Sequence, residues 1–485
     1  MIKKHFISTI ICFLSCISLA QYKSTKIKMA GGLLEEDKQF AALKIYEDIA
    51  ASQGDNKEIY LKIAELHEDL FNYVEASKWY YNLYEIQKGI YPKSEFKFAE
   101  LQMIMGKYKI ASEHFTSFSK TYQGHDKVLY KKLCKTYIKS CKKALEAKPD
   151  PEIEIRKIPN FINSTYTDLA PCTFENKLYY SSIATDSTMT YTGDLDSAPN
   201  FQIYRAEQIK DEQFDTAELF IPEIINEPYY HTSNGIFSPD GKKFFFTRCK
   251  KNSKGNNICK IYCSEKKDTT WEKAILLGPE INDKNNNFSS THPMIMRYLK
   301  RGQKRDTITK IIFASTMPGG HGGYDLWIAS IDENLKTKKP ENMGRKVNSM
   351  LNELTPYYSK KDKSLYFSSN GHGGFGGLDI FKTPIKNGKT KNIKLLDNPV
   401  NTSWDDWYYT EMNKETAFIV SNREGAKIYH NNTKLDDIFL VKKTTKKYLT
   451  LFAFEQQKTK KAIDGVIFRV KIVNDKNSEA SQYNT

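Results

Sequence analysis

Two glycine-rich stretches hold the residues best placed for chemistry: GGHGGYD at 319–325 and NGHGGFGGLD at 370–379. Such a loop cradles phosphate when it opens a helix, because its N–H groups converge on the anion. Both stretches instead lead into Asp-apolar-aromatic runs, Asp325-Leu326-Trp327 and Asp379-Ile380-Phe381, so they open strands and the phosphate reading fails on context. His321 and His372 occupy equivalent places, and a metal would need two separate segments to bring them together. A repeated structural role is the simpler reading. Asp325, Asp379 and Asp437 read as groups that bond backbone at strand starts rather than as calcium ligands. His321, Tyr324, His372 and Phe375 are kept as a candidate surface loop; no catalytic, cofactor or metal site is assigned.

Enzyme signatures are missing elsewhere. There is no G-x-S-x-G elbow, no H-E-x-x-H, and no spare domain of a size to host a site. His231 and Asp406 fall at repeat positions, not in a triad. The expectation is a chain that is not an enzyme and uses no cofactor.

The elements that position these residues repeat. Five units each begin with an apolar residue and an asparagine: Ile162-Asn163, Ile225-Asn226, Ile281-Asn282, Val347-Asn348 and Val400-Asn401. Five residues after each Asn stands a polar group: Asp168, His231, Asn287, Glu353 or Asp406. A strand, a turn (clearest at Ser238-Pro239-Asp240-Gly241), a short fully apolar strand and a third strand follow. Four strands per unit, repeated radially, make a propeller over 152–445. Glu152 to Ile158 reads as a fourth strand without its first three, and the last unit lacks its fourth. Closing the ring with that strand favours five blades; six is the alternative count.

Residues 22–148 follow the helical period instead. Ala42, Tyr46 and Ile49 recur as Ala76, Tyr80 and Leu83, then as Ala111, Phe115 and Phe118, with Ala30, Ala64 and Ala99 twelve residues before each alanine. This resembles a tetratricopeptide α-solenoid, closed by a lysine-rich last helix. Pro149-Asp150-Pro151 ends it.

Lys3, Lys4 and His5 precede an apolar run from Phe6 to Leu19, and Ser18 and Ala20 suit a signal peptidase; residues 1–20 read as a signal peptide, with lipidation at Cys16 the alternative. Cys249 ends one predicted strand and Cys259 starts the next, so a hairpin disulfide and two free thiols are both open. The net charge of +15 is spread over every segment, without the aromatic-interleaved stripe of a nucleic-acid binder. Residues 448–485 resemble an incomplete carboxypeptidase-regulatory-like β segment.

The units resemble PD-type, WD-like repeats of TolB-like propellers. The order of signal peptide, helical repeats, propeller and small β segment resembles Bacteroidetes OmpA-family envelope proteins, some of them parts of type IX secretion and gliding machinery. The resemblance implies a multidomain α + β chain in the periplasm at the outer membrane, with envelope or secretion-machine proteins as partners. It implies a non-catalytic scaffold; the alternative is a peptidoglycan- or carbohydrate-associated binding or sensor protein. An OmpA-like domain is not seen here, which weakens direct peptidoglycan binding. No nucleic-acid partner and no transmembrane span are expected.

Overall fold

The computed structural model describes residues 23–36, 38–53, 57–86, 90–159, 161–183, 200–221, 223–228, 230–251, 257–282, 290–299, 307–386, 389–429, 433–444, 467–470 and 481–484. The signal-peptide segment, Cys16, Asn287 and Tyr448 to Glu455 lie outside the described residues. No described helix is long and apolar enough to cross a membrane.

The described helices are α1 (23–35), α2 (Gln39–Gln53), α3 (Lys57–Asp69), α4 (Tyr73–Ile86), α5 (Ser94–Ile104), α6 (Tyr108–Thr121) and α7 (Lys127–Glu146). Ala30, Ala42, Ala64, Ala76, Ala99 and Ala111 are all fully buried, so a small residue on each member of a pair sets the close approach. Phe96, Phe115, Phe118 and Tyr137 fill the space beside the last of these contacts. Between α5 and α6, Gly106 takes φ +74°, and the N–H groups of Gly106 and Lys107 bond the carbonyls of Met103 and Gln102. These bonds satisfy carbonyls that a helix end leaves unpaired. Phe71 and Asn72 make the same pair of bonds between α3 and α4.

Five sheets follow, and they are the five blades of a propeller. Their innermost strands are Asp168–Phe174, His231–Phe237, Ser290–Leu299, Glu353–Ser359 and Asp406–Glu411 in blades I to V, each touching the next around the ring. The second strands are the driest: Ser364–Ser369 and Thr416–Ser421 are buried at every residue. Burial on both faces explains why they read as unbroken apolar runs rather than alternating ones. The fourth strand of blade V is Ile153–Lys157, paired antiparallel with Asp437–Lys443 from Ile153 opposite Lys443 to Lys157 opposite Phe439. The strand just after the helices therefore closes the ring and covers its last edge.

The repeated asparagines hold each blade together. In all five, the side-chain amide pairs with both backbone groups of one residue in a third strand: Asn163 with Ile438, Asn226 with Ile203, Asn282 with Ile261, Asn348 with Leu326 and Asn401 with Ile380. Each amide N–H₂ makes one further bond, to the carbonyl of Ile158, Phe220, Leu277 or Leu396, or to the Asn342 side chain. The asparagine thus serves as one extra ladder rung.

Helices and propeller form one compact unit, residues 1–443. Their junction is built from the turns of the helical array and the loops of blades IV and V. Tyr73 donates to Asp405 at 2.6 Å and stacks on Trp404, Tyr137 donates to the Asn370 carbonyl at 3.2 Å, and Met350 and Leu351 join the α5–α7 core. Residues 444–485 form a second unit, in which Ile467–Val470 pairs antiparallel with Ser481–Asn484.

Candidate functional site at the axial mouth

Every innermost strand carries a bulge two or three residues from its start. At four of them Ala170, Asn234, Thr355 and Tyr408 take positive φ, a backbone conformation that L-residues avoid. A bulge bends its strand and re-aims the side chains beside it. Here it sends Tyr408 of blade V to Asn234 of blade II, Oη to Oδ1 at 2.6 Å. Blades II and V are not neighbours, so this buried bond crosses the axis. Tyr408 N–H also reaches Thr355 of blade IV, and Thr410 Oγ1 donates to the Pro171 carbonyl of blade I at 2.8 Å. The middle of the channel is occupied by these contacts.

At the far ends of the innermost strands the axis opens into a cavity of about 570 Å³. Blades I and II bring Phe174 and Phe237, stacked at 4.5 Å with 15° between their planes. Blades IV and V bring Tyr357, Tyr358, Thr410 and Glu411, with Lys360, Lys361 and Lys414 from the adjoining turns. Glu411 Oε2 accepts Ser359 Oγ–H at 2.8 Å and lies 3.5 Å from Tyr357 Oη. Burial, with Glu411 beside it, raises the Tyr357 hydroxyl above its ordinary pKa and keeps it a neutral donor. Cys172 also lines the cavity; burial pushes its thiol up to about 12, the opposite of what a nucleophilic thiolate needs. The arrangement offers aromatic rings on one side and a carboxylate, hydroxyls and ammonium groups on the other.

The opposite ends of the strands hold buried carboxylates with structural work to do. Asp168, Glu353 and Asp406 accept the backbone N–H of Ser164, Ser349 and Thr402 and so fix the turn after each asparagine. Glu353 also accepts from Ser369, and burial raises its carboxyl to about 7. Folding therefore takes up a proton at Glu353 that the unfolded chain releases near pH 4.5. The stabilisation from this proton is complete below about pH 4 and is lost as pH rises through about 7. Glu353→Gln should remove that loss. The stability of wild type relative to the variant should fall by about 2–3 kcal/mol between pH 4.5 and 7.5, read from urea midpoints. A pH-independent difference would contradict the assignment.

The residues singled out in the glycine loops do not meet at one place. Asp325 accepts the N–H groups of His321 and Gly322, and Asp379 those of Phe375 and Gly376, so both aspartates shape their loops. His321 is exposed and Tyr324 half-buried. His372 donates from Nε2 to the Val347 carbonyl at 2.6 Å, and its pKa is lowered by burial. Phe375 is buried, with Lys143 of α7 5.4 Å from its ring. Among the described residues no three His, Cys, Asp or Glu side chains converge as a metal-binding set. Sequence reasoning placed the ligand of the carbohydrate alternative at the propeller mouth but did not identify the residues that line it. Their signal lies in the two residues after each bulge, which refuse to repeat: Cys172, Ile236, Tyr357 and Thr410, then Thr173, Phe237, Tyr358 and Glu411.

No sequence-family model matches the chain, and no characterised protein matches it by sequence. Solved structures resemble it in fold. A GH43 β-xylosidase/α-arabinofuranosidase from a compost microbial metagenome, in complex with xylotriose, is 11% identical with TM-score 0.37, covering 64% of this chain and 98% of its own. A GH62 hydrolase in complex with xylotriose is 10% identical with TM-score 0.38, covering 59% and 94%. An exo-1,5-α-L-arabinanase from a bovine ruminal metagenomic library is 12% identical with TM-score 0.35, covering 60% and 95%. At these identities the likeness is one of fold. These neighbours are glycoside hydrolases and not envelope scaffolds, which corrects two expectations: that the chain is a non-catalytic scaffold of secretion or gliding machinery, and that it is no enzyme. A propeller can assemble a site on its axis from separate blades, where no contiguous motif marks it.

Proposed function

We propose that the chain is an exported glycan-binding protein of the cell envelope, and that the axial mouth is its ligand site. The observation that carries this is the pairing of the stacked Phe174 and Phe237 with Tyr357, Tyr358 and Glu411 around one cavity. The C–H faces of a sugar ring lie flat on aromatic rings, while its hydroxyls need a few placed acceptors and donors. Export rests on the charged-then-apolar composition of residues 3–20 and on the Cys249–Cys259 disulfide, which belongs to an oxidising compartment. An envelope family resemblance and an envelope protein partner for the helical array fit the same address.

Calorimetric titration with xylotriose, arabinotriose, chitotriose and trigalacturonate tests the reading. At least one should bind, and Phe237→Ala should weaken it about 10-fold or more, equivalent to about 1.4 kcal/mol. Absence of binding to all four, or unchanged binding by Phe237→Ala, would overturn it. Reducing-sugar release in the same samples reads turnover. Hydrolysis uses two carboxyl groups about 5–9.5 Å apart, and Glu411 is the one to test, as Glu411→Gln.

A further inference from the structure

The mouth is not evenly charged. Its described lining contains three lysines, Lys360, Lys361 and Lys414, against the single carboxylate of Glu411. All three lysines come from blades IV and V, facing the aromatic pair of blades I and II. All three are exposed residues at the rim. The acidic neighbour in the same turn is engaged elsewhere: Asp362 accepts the Ser364 N–H at 3.0 Å and the Tyr366 hydroxyl at 2.9 Å. Glu411 is held by Ser359, and Lys361 Nζ donates to the Lys414 carbonyl, tying the two turns together. Lys360 and Lys414 form no ion pair among the described residues. A ligand whose apolar face rests on Phe174 and Phe237 would therefore present its far side to a cationic rim.

Resting on the glycan reading above, we propose that the mouth selects anionic glycans, those bearing a carboxylate or a sulfate ester, with the anionic substituent directed at Lys360 and Lys414. A neutral sugar can use the aromatic faces but leaves the lysines unanswered. An anionic one gains charge-assisted hydrogen bonds from ammonium donors. Rim attraction of this kind weakens as salt screens it, whereas stacking does not.

Three probes separate the possibilities: trigalacturonate for carboxylate, a ι-carrageenan tetrasaccharide for sulfate, and xylotriose as the neutral reference. Calorimetry with the full chain at low and high salt should show at least one acidic probe binding about 10-fold or more tighter than xylotriose at low salt. The advantage should shrink as salt rises. Lys360→Gln/Lys414→Gln should reduce it to near equality without weakening xylotriose; Lys361 is left intact because it joins the turns. Whichever acidic probe loses affinity in this variant identifies the substituent. Equal or tighter binding of xylotriose by wild type would overturn the selectivity and leave the glycan reading standing. Retention of the acidic preference by the double variant would also overturn it. Acidic binding untouched by Phe237→Ala would mean general lysine attraction outside the mouth, and would overturn it too. Failure of every probe to bind would overturn the selectivity, and the glycan reading falls with it when arabinotriose and chitotriose fail as well.

Discussion

Gly376→Ala should unseat the helical array from the propeller. A Cβ at this position would lie 1.5 Å from the carbonyl oxygen of Ser403 and 2.1 Å from its carbonyl carbon. Both are backbone atoms of the blade V loop that Gly106, between α5 and α6, rests against on its other side. Neither partner is the far end of a side chain that can swing away. The loop must shift, and the shift moves Asp405 from Tyr73 and Trp404 from the same ring. A loss of about 3 kcal/mol or more is expected, in the range of severe strain and lost buried bonds. Thermal unfolding followed by circular dichroism would show a large fall in Tm, with earlier proteolysis around Pro149-Asp150-Pro151. Gly31→Ala is the control: nothing lies within 4 Å of its Cβ, and alanine should stabilise α1 by about 0.5–1 kcal/mol. Identical melting of Gly376→Ala and wild type would show that the loops do not approach so closely.

Asn401→Leu should have a comparable effect by a different route. Leucine keeps the volume and removes three hydrogen bonds: Oδ1 from the Ile380 N–H at 2.7 Å, and Nδ2 to the carbonyls of Ile380 and Leu396, each at 2.9 Å. The Ile380 carbonyl keeps a bond from the Leu396 N–H, but the buried Ile380 N–H is left without that partner. An orphaned buried donor costs about 1–3 kcal/mol beyond the bonds themselves, so about 3 kcal/mol or more is expected in total. The urea midpoint should fall with little change in slope, since the fold is weakened rather than rearranged. A variant as stable as wild type would remove the asparagine from its role as a rung.

These two positions also mark where the sequence could be read and where it could not. Asn401 was legible because the same local problem, joining a third strand to the next blade, is solved five times with the same residue. The ring count followed in the same way, from Ile153–Lys157 supplying a strand that the last blade lacks. Gly376 was illegible. Its loop looks like an open surface in one dimension, and only the docking of α7 and the blade V loop shows why glycine is needed. His372 and Phe375 share that loop and are part of the junction's packing, whereas His321 in the corresponding loop of blade III is exposed. The lining of the axial mouth was hidden for a third reason. Its described residues come from four blades, far apart in the chain, at positions where the repeat places no rule.

The strand Ile153–Lys157 sets a timetable. It leaves the ribosome directly after α7, yet its pairing partner, Asp437–Lys443, ends the propeller. At synthesis rates of about 5–20 residues per second, it waits roughly 15–60 s with both edges unpaired. The helices, whose contacts are mostly between sequence neighbours, can assemble in that interval; the ring cannot. Completion of the propeller is thus a late, long-range event tethered to an element already folded. Anyone dividing the chain should cut before Glu152, because a cut after Lys157 leaves the last blade without its edge.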